Sequence, residues 1–247
     1  MGDTKIPWAT KTWNVTEGCS KVSPGCKFCY GERLAPRLGV DFSKVTVRPE
    51  RLEEPLHWRK PQRVFVCSRS DLFHDEVPRQ FIVDVFRTMF DAKQHTYLLL
   101  TKRPYRMKEL WTEFLEDMRC WPSPRHVWLG VSCENQEQLI KRWPYLKDTP
   151  AAVRFISFEP LLSDIIFPDT MYQDPEYPKS CMLDLAIIGG ESGPHHRPME
   201  IAWLRSIVNQ CKAAGVKVWV KQASHARPGQ QGDIPDELWA LKQTVEV

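Results

Sequence analysis

Short apolar runs rich in β-branched and aromatic residues recur along the chain from about residue 63. Each run is followed by a polar cluster and then by an amphipathic stretch. Runs this short and this apolar are typical of strands buried in a parallel sheet. The runs start 26 to 33 residues apart and cover residues 64–67, 96–100, 127–131, 153–156, 183–188 and 216–220. An earlier run at residues 12–15 predicts a first strand.

Three of the segments between these runs carry apolar residues at the spacing of one helix face. Their apolar positions are Phe81, Val85, Met89 and Phe90, then Leu139, Ile140, Trp143 and Leu146, then Leu204, Ile207, Val208 and Cys211. Pro78 suits the start of the first of these helices, and Gly215 suits the end of the third. The pattern therefore predicts helices that alternate with strands.

This alternation predicts an α/β fold with right-handed crossovers. Seven candidate strands in a mostly parallel sheet favour a partial or distorted (β/α) barrel, and a doubly wound open sheet is the alternative. The chain has no evident linker, which predicts a single domain over residues 1–247. Three prolines interrupt the helical pattern at about residues 163–179, where we expect a surface excursion.

Composition narrows the cellular setting. Hydrophobic residues make up 42% of the chain, but no apolar run has the length needed to span a bilayer. The first residues also lack the apolar core of a secretory signal. These features predict a cytoplasmic protein without a membrane partner, whose cysteines are reduced. The formal net charge of +3 agrees with a nucleic-acid partner.

Three cysteines, Cys19, Cys26 and Cys29, lie within eleven residues in a loop that also contains a Ser-Pro-Gly turn. Three thiolates can ligate three irons of a cubane cluster and leave the fourth iron open to a substrate or cofactor. Two other interpretations of the same residues stay open. The Cys-x-x-Cys pair is half of a zinc site with ligands elsewhere, or it is a redox-active dithiol.

Polar groups follow each predicted strand, at the edge where parallel α/β proteins place their active sites. The candidate catalytic residues, each after a different strand, are Asp71, Lys102 and Glu159. The candidate cofactor-binding residues follow two further strands and are Ser132, Glu134, Gly189, Gly190 and Glu191. If the strands are parallel, we expect all these groups to surround one cavity. Helix capping, and a tight turn at the paired glycines, are the structural alternatives.

A strand that leads into three cysteines ending in Cys-x-x-Cys-aromatic resembles the radical S-adenosylmethionine (SAM) superfamily. From about residue 5 to residue 222 the chain resembles, more closely, a phage- and prophage-associated family of unknown function with a radical-SAM-like core. The segments that carry this likeness are residues 68–74, 100–104, 130–135, 157–162 and 188–193.

The resemblance implies a 4Fe–4S cluster on Cys19, Cys26 and Cys29, with SAM on the fourth iron. An electron donor would reduce the cluster, and SAM would then be cleaved to a 5′-deoxyadenosyl radical. Two features depart from the superfamily pattern. Six residues rather than three separate the first two cysteines, and the Gly-Gly-Glu sequence follows the sixth strand rather than the second. The SAM contacts of the candidate cofactor-binding residues therefore rest only on their position after strands.

The residues support three hypotheses about function. The leading one is a radical SAM enzyme with an unknown substrate, for which the implied phage context suggests nucleic-acid modification or repair. The second is a non-enzymatic zinc-binding module that contacts nucleic acid or a partner protein, with His74 as a candidate fourth ligand beside the three cysteines. The third is a metal-free α/β enzyme that acts through Asp71, Lys102 and Glu159.

Overall fold

The computed structural model describes Thr4, residues 6–172 and residues 183–245. The strands in this part of the chain are β1 Lys11–Trp13, β2 Thr16–Glu17, β3 Thr46–Val47, β4 Arg63–Val66, β5 Thr96–Thr101, β6 Val127–Ser132, β7 Val153–Phe158, β8 Leu185–Gly189 and β9 Lys217–Gln222. The α-helices are α1 Tyr30–Leu34, α2 Arg79–Asp91, α3 Pro104–Asp117, α4 Gln136–Asp148, α5 Ile201–Ala213 and α6 Asp236–Trp239. Among the described residues, no helix has the length and apolar character that crossing a membrane requires.

Seven of the strands form one parallel sheet in the order β1-β4-β5-β6-β7-β8-β9. Strands β2 and β3 pair antiparallel in a separate two-stranded sheet. Neighbours in the large sheet follow each other along the chain, without the reversal of order that defines a doubly wound sheet. The predicted partial (β/α) barrel is therefore confirmed, and the doubly wound alternative is wrong.

Helix α4 differs from the sequence prediction in the residue that it turns toward the core. Leu139 and Trp143 are buried as expected, but Ile140 is 60% exposed. Arg142 lies on the buried face instead, with 4% exposure. The predicted burial of Ile140 is therefore wrong. A charged side chain packed among apolar ones needs a partner that is buried with it.

The contacts of the chain divide it into two compact units. The first consists of Met1–Val22, Cys29–Leu129 and Thr149–Ala152, and the second consists of Ser23–Phe28, Gly130–Asp148 and Val153–Val247. The division passes through β6, and it assigns Cys26 to the second unit and Cys19 and Cys29 to the first. The single domain predicted over residues 1–247 stays a prediction.

Each unit has its own aromatic core. In the first unit the Phe86 and Trp111 rings meet edge to face, with 5.0 Å between their centroids. In the second unit Phe158 of β7 stacks on Phe167, with 5.7 Å between the ring centroids. Such pairs add to the stabilisation from buried apolar area. These cores fix the strand ends, from which the polar side chains of the candidate site project.

The Pro-rich segment predicted at about residues 163–179 is described as far as Tyr172, and its remaining residues lie outside the described part of the chain. Up to Tyr172 it forms a short 3₁₀ turn, Asp169–Met171, and no α-helix. Ile165, Phe167 and Met171 are buried. This part of the segment therefore packs its apolar side chains into the core, although it lacks regular structure.

Candidate functional site

The Cys26 segment, residues Ser23–Phe28, is the part of the cysteine loop that packs in the second unit. Its 3₁₀ turn Pro24–Cys26 is closed by the Cys26 N–H, which donates to the Ser23 carbonyl at 2.9 Å. Proline suits the start of this turn because its ring presets φ. Cys26 is half-buried, and its sulfur is a free thiol. The turn thus presents a reduced thiol at the end of a tight bend.

Glu134, in the loop after β6, anchors the Cys26 segment. Its side chain is fully buried, and Oε1 accepts a hydrogen bond from the Gly25 N–H at 2.8 Å. Oε2 accepts from Arg142 Nη1 at 2.9 Å, and the same nitrogen donates to the Ser132 carbonyl at 2.6 Å. Charge-assisted hydrogen bonds of this kind are stronger than neutral ones. Glu134 and Ser132, predicted as SAM contacts, thus bond to the protein itself in this structure.

The closeness of this contact explains the glycine at position 25. A Cβ added to Gly25 would lie 2.9 Å from both Cδ and Oε1 of Glu134. Real Cβ atoms essentially never come so close, and the carboxylate has little room to move because Arg142 holds it. The absence of a side chain at Gly25 therefore lets the backbone come close to a buried carboxylate, and it also permits the bend of the turn.

Glu191 supports the Cys26 segment through Arg197. The Glu191 carboxylate is buried and accepts three hydrogen bonds from Arg197, from the backbone N–H at 2.9 Å, from Nε at 2.8 Å and from Nη2 at 2.5 Å. The guanidinium carbon lies 5.5 Å from the centroid of the Phe28 ring. A guanidinium in this position is attracted to the ring. Glu191 and Arg197 together hold the aromatic residue that follows Cys26 by two positions.

Packing explains the second of the paired glycines at the end of β8, Gly190. A Cβ on Gly190 would lie 2.3 Å from the backbone nitrogen of Ser224, and a Cβ on Gly189 would lie 3.4 Å from Cγ of Gln222. The Gly190 N–H also donates to the Gln222 carbonyl at 2.9 Å. Gly190 therefore permits a close backbone approach to the chain that leaves β9. This geometry favours the structural alternative for Gly190, whereas the 3.4 Å contact at Gly189 is an ordinary van der Waals distance, and Gly189 stays a predicted cofactor-binding residue.

Glu159 follows β7 and forms an ion pair with Lys221 of β9. Nζ of Lys221 lies 2.5 Å from Oε1 of Glu159, and Nε2 of Gln222 donates to the same oxygen at 3.3 Å. The pair is mostly buried, since its side chains are 19% and 16% exposed. This carboxylate is thus charge-compensated within the second unit. The catalytic set of Asp71, Lys102 and Glu159 draws on both units, and it stays a prediction.

Asp71 is the centre of a hydrogen-bond network in the first unit, where β4 and β5 end. Its buried carboxylate accepts from the Thr101 hydroxyl at 2.7 Å, from the Lys102 backbone N–H at 3.1 Å and from Arg103 Nη1 at 3.2 Å. The Phe73 N–H donates to it as well, at 3.0 Å. With this many donors, the Asp71 carboxylate acts as an acceptor that orients Arg103. Lys102 reaches the network through its backbone.

Arg103 connects Asp71 to the first cysteine of the loop. Its Nη1 lies 3.8 Å from the Sγ of Cys19, and its Nη2 donates to the Ser20 hydroxyl at 2.8 Å. Burial lowers the pKa of Arg103, but the charges of Asp71 and Cys19 raise it more, so this pKa lies above its ordinary value. A permanent cation beside a thiol favours the thiolate, which is the form that binds metals.

His74 contacts the same serine from the loop after β4. Its Nε2 lies 2.7 Å from the Ser20 Oγ, and its Nδ1 accepts from the Glu76 N–H at 3.2 Å. A backbone N–H can only donate, so Nδ1 is unprotonated and Nε2 carries the proton in the neutral ring. Burial, followed by the charge of Arg103, lowers the pKa of His74. The neutral ring therefore donates through Nε2 to the residue next to Cys19.

Glu17 holds the start of the cysteine loop in the first unit. Its buried carboxylate bonds to Arg48 through Oε2 and to Arg51 Nη1 through Oε1, the latter at 3.0 Å. Burial by itself would raise the pKa of Glu17, but hydrogen bonds from the two arginines outweigh it and hold the pKa below its ordinary value. Glu17 and the two arginines thus join β2 to the segment that follows β3.

We expect the Glu17→Gln variant to lose less stability in acid than the wild type. A carboxylate whose pKa is lowered in the folded state stabilises the protein above its unfolded pKa, and this stabilisation is lost as the pH falls through the folded value. Thermal unfolding at about pH 7 and about pH 3 measures the difference. Glu50→Gln is the matched control, since the Glu50 side chain is 61% exposed beside the same arginine, Arg51. An equal acid response in wild type and Glu17→Gln would contradict this role.

The three predicted cluster ligands are divided between the two units. Cys19, Cys26 and Cys29 are all half-buried, and none of the three is in a disulfide, which suits the donor chemistry of an iron–sulfur cluster. Among the residues that the structure describes, however, no three His, Cys, Asp or Glu side chains are grouped so that they could hold one metal ion. The ligand set therefore stays a prediction from the sequence.

A family model described as "Protein of unknown function (DUF5131)" matches residues 3–236. The chain belongs to this family. No curated protein and no solved structure matches it. The description of the DUF5131 family states no activity, so membership of the family assigns no function to the chain. The phage association and the radical-SAM-like core stay predictions.

In this DUF5131 member, sequence reasoning missed the residues that support the Cys26 segment. Arg142 contacts the predicted Glu134, Arg197 contacts the predicted Glu191, and Phe28 in turn contacts Arg197. One signal was available for Arg142, because it interrupts the apolar face of α4 three residues after Leu139. Arg197 and Phe28 lie in irregular segments, where spacing does not predict which way a side chain points.

Proposed function

We propose that this chain is a radical SAM enzyme that carries a 4Fe–4S cluster on Cys19, Cys26 and Cys29. The main support is the way in which the Cys26 segment is held. Glu134 with Arg142 and Glu191 with Arg197 both direct charged groups at this segment, while its thiol stays half-exposed.

The two carboxylate–guanidinium pairs are an unusual way to hold a loop. Removing two charges from water costs several kcal/mol per ion before their attraction is counted, so a buried pair is weak evidence of a contribution to stability. A need to fix the position of the Cys26 segment explains the two pairs better than a contribution to stability does. A cysteine that must meet an inorganic cluster at a fixed distance has this requirement.

The fold and the surroundings of Cys19 agree with the proposal. The cysteine loop follows β1 of a sequentially ordered (β/α) sheet, and loops at this edge carry the active sites of parallel α/β proteins. Arg103, itself fixed by Asp71, lies beside the Cys19 sulfur. Asp71 is then a positioning residue for Arg103 rather than an acid or base.

A bound cluster would supply the one-electron chemistry that cleaves SAM, with electrons from a separate donor protein or reductant. The residues of this chain would hold the cluster through the three cysteines, with Arg103 beside Cys19. No step beyond this is assigned to Ser132, Glu134 or Glu191, since their observed contacts are within the protein.

Zinc is the second candidate, and the contact between His74 and Ser20 favours it. The Nε2 of His74 lies 2.7 Å from a residue adjacent to Cys19, and three cysteines with one histidine form a common structural zinc site. To bind zinc through Nε2, the ring would have to carry its proton on Nδ1 and give up the hydrogen bond from the Glu76 N–H. In that case the protein would be a zinc-binding module. It would be colourless and would hold one metal ion, whereas a cluster has strong visible absorbance.

Anaerobic reconstitution with iron and sulfide tests the two candidates. We expect about four irons and four sulfides per chain in the wild type, as a cubane requires. Cys26→Ser should lose the visible absorbance, because a serine does not replace a thiolate at this position. Cys120→Ser is the matched control, since Cys120 is also half-buried but lies outside the loop. One tightly held zinc and no bound iron in the wild type would overturn the cluster in favour of zinc. An intact cluster in Cys26→Ser would overturn the ligand set.

A further inference from the structure

A surface rich in rings and cations in the second unit includes the two residues that follow Cys26 in the chain. It consists of residues 27–28, 195–197 and 225–227, and we call it the ring surface. These stretches contain one phenylalanine, three histidines, one lysine and two arginines, and none of their residues is acidic. Nothing in the cluster proposal uses the histidines or the exposed cations.

Phe28 lies at the end of the ring surface that is nearest to Cys26 in the chain. Its ring centroid is 6.0 Å from that of His195, and the planes are inclined by 41°. The Lys27 Nζ lies 5.2 Å from the same ring, and the Arg197 guanidinium lies 5.5 Å from it. His195 and Lys27 are exposed. One aromatic ring therefore gathers an exposed imidazole and two cations around it.

His196 and His225 continue the ring surface. Their centroids are 6.5 Å apart and their planes are inclined by only 23°, so the two rings are stacked. The Gly193 N–H donates to the His225 carbonyl at 3.0 Å and thereby fixes the distance between the two stretches. Both imidazoles are half-exposed, so a prepared stack of rings faces solvent.

The hydrogen bonds of the two histidines determine which ring nitrogen each presents. His196 Nδ1 lies 2.8 Å from the Gly193 carbonyl, which can only accept, so Nδ1 carries the proton and Nε2 is an acceptor in the neutral ring. His225 Nδ1 accepts from the Arg227 N–H at 3.0 Å, so its Nε2 carries the proton. The stack thus offers one acceptor and one donor.

We propose that the ring surface binds single-stranded nucleic acid. Unpaired bases have two exposed faces and an edge of donors and acceptors, which match the rings and the two Nε2 atoms. Phosphates match the exposed cations Lys27 and Arg227. Rings with interleaved cations are the usual basis of single-strand binding. The paired bases of a duplex offer no free face for such stacking, so the ring surface favours single strands over duplex.

The location of the ring surface connects binding to the cysteine loop. Phe28 belongs to the Cys26 segment and is two residues from Cys26 in the chain, so a strand that stacks on it would bind to the segment that carries a thiol we assign to the cluster. In combination with the proposed function, this makes a nucleic acid the substrate class. Binding itself depends only on the surface and is measurable whether or not a cluster is present.

Fluorescence anisotropy with a labelled oligothymidine of about 15 nucleotides tests the binding directly. We expect the wild-type chain to bind it at low salt and to bind a duplex of the same length more weakly. His195→Ala and, separately, Phe28→Leu should weaken binding by about tenfold, as expected for the loss of one stacking partner. His195 is exposed, so His195→Ala keeps the test valid if Phe28→Leu fails to fold.

A charge variant tests the second part of the surface. We expect Lys27→Gln with Arg227→Gln to reduce the slope of log affinity against log salt by about 1.4, the value for two lost phosphate contacts on a single strand. Lys93→Gln with Arg37→Gln removes the same charges at exposed positions in the first unit and should leave the slope unchanged. Absence of binding by the wild type, equally tight binding of duplex, or wild-type affinity in His195→Ala would each overturn the proposal. If any of these outcomes occurs in a protein with a fully loaded cluster, the nucleic-acid proposal fails and the enzyme proposal does not.

Discussion

Replacing Glu134 with leucine is expected to lower the free energy of unfolding by about 3 to 5 kcal/mol, because it leaves the buried Arg142 guanidinium without its carboxylate. In a chain of this size this corresponds to a melting temperature lower by roughly 6 to 20 °C. The same change removes the acceptor of the Gly25 N–H. We therefore also expect Cys26 to be alkylated faster, as measured by mass spectrometry of its peptide.

A double variant separates these two effects. Adding Arg142→Met to Glu134→Leu removes the unpaired charge, and apolar replacement of a whole buried pair is often neutral or stabilising. We expect most of the lost stability to return, whereas Cys26 should remain fast to react because Gly25 still lacks its acceptor. Glu137→Gln is the exposed control on the same helix, with a side chain 60% exposed, and should change neither quantity. Slow alkylation of Cys26 in both leucine variants would contradict the anchoring role.

Replacing Gly18 with alanine is expected to destabilise the first unit by about 2 to 5 kcal/mol, the sum of a left-handed backbone and an overpacked contact. Gly18 has φ +81°, and a Cβ there would lie 2.1 Å from the Lys44 carbonyl oxygen. The obstructing atom belongs to the backbone, so it cannot rotate away. Chemical denaturation of the purified variant measures the loss.

Gly39 is the matched control for this substitution. Its φ is +66°, so alanine meets the same backbone penalty, but a Cβ there has no neighbour within 4 Å. We expect Gly39→Ala to cost only about 1 to 2 kcal/mol. Gly18 precedes Cys19, whose N–H donates to the Phe42 carbonyl at 3.0 Å. Gly18→Ala should therefore also impair cluster loading, and Gly39→Ala should not. Equal losses of stability in both variants would refute the close contact at Gly18.

The sheet could be predicted from the sequence because its strands β6, β7 and β8 are buried at every residue and therefore largely apolar on both faces. Short continuous apolar runs such as residues 127–131 fit few structures other than a buried strand. Each predicted run corresponds to an observed strand, and the observed ends differ from the predicted ones by a few residues. The two-residue strands β2 and β3 were not predicted, since two residues carry no period. The sequence prediction placed Ile140 on the buried face of α4, which is wrong. The buried face includes the charged Arg142, and an apolar pattern does not identify such a face.

The candidate site was predictable only in part. The sequence placed Asp71, Glu134 and Glu191 near strand ends, and the structure confirms that position. It did not predict their partners, because an ion pair such as Glu191 with Arg197 depends on how an irregular loop folds back. A carboxylate that bonds within the protein and one that binds a ligand have the same sequence, so position after a strand predicts a cofactor contact for Glu134, whereas the structure bonds it to Gly25.

The electron paramagnetic resonance spectrum of the reduced, reconstituted protein, recorded with and without SAM, tests the central claim most directly. Our account predicts the signal of a reduced 4Fe–4S cluster, and a change in that signal when SAM binds the open iron. An identical spectrum with and without SAM, or a protein that takes up no iron at all, would contradict it.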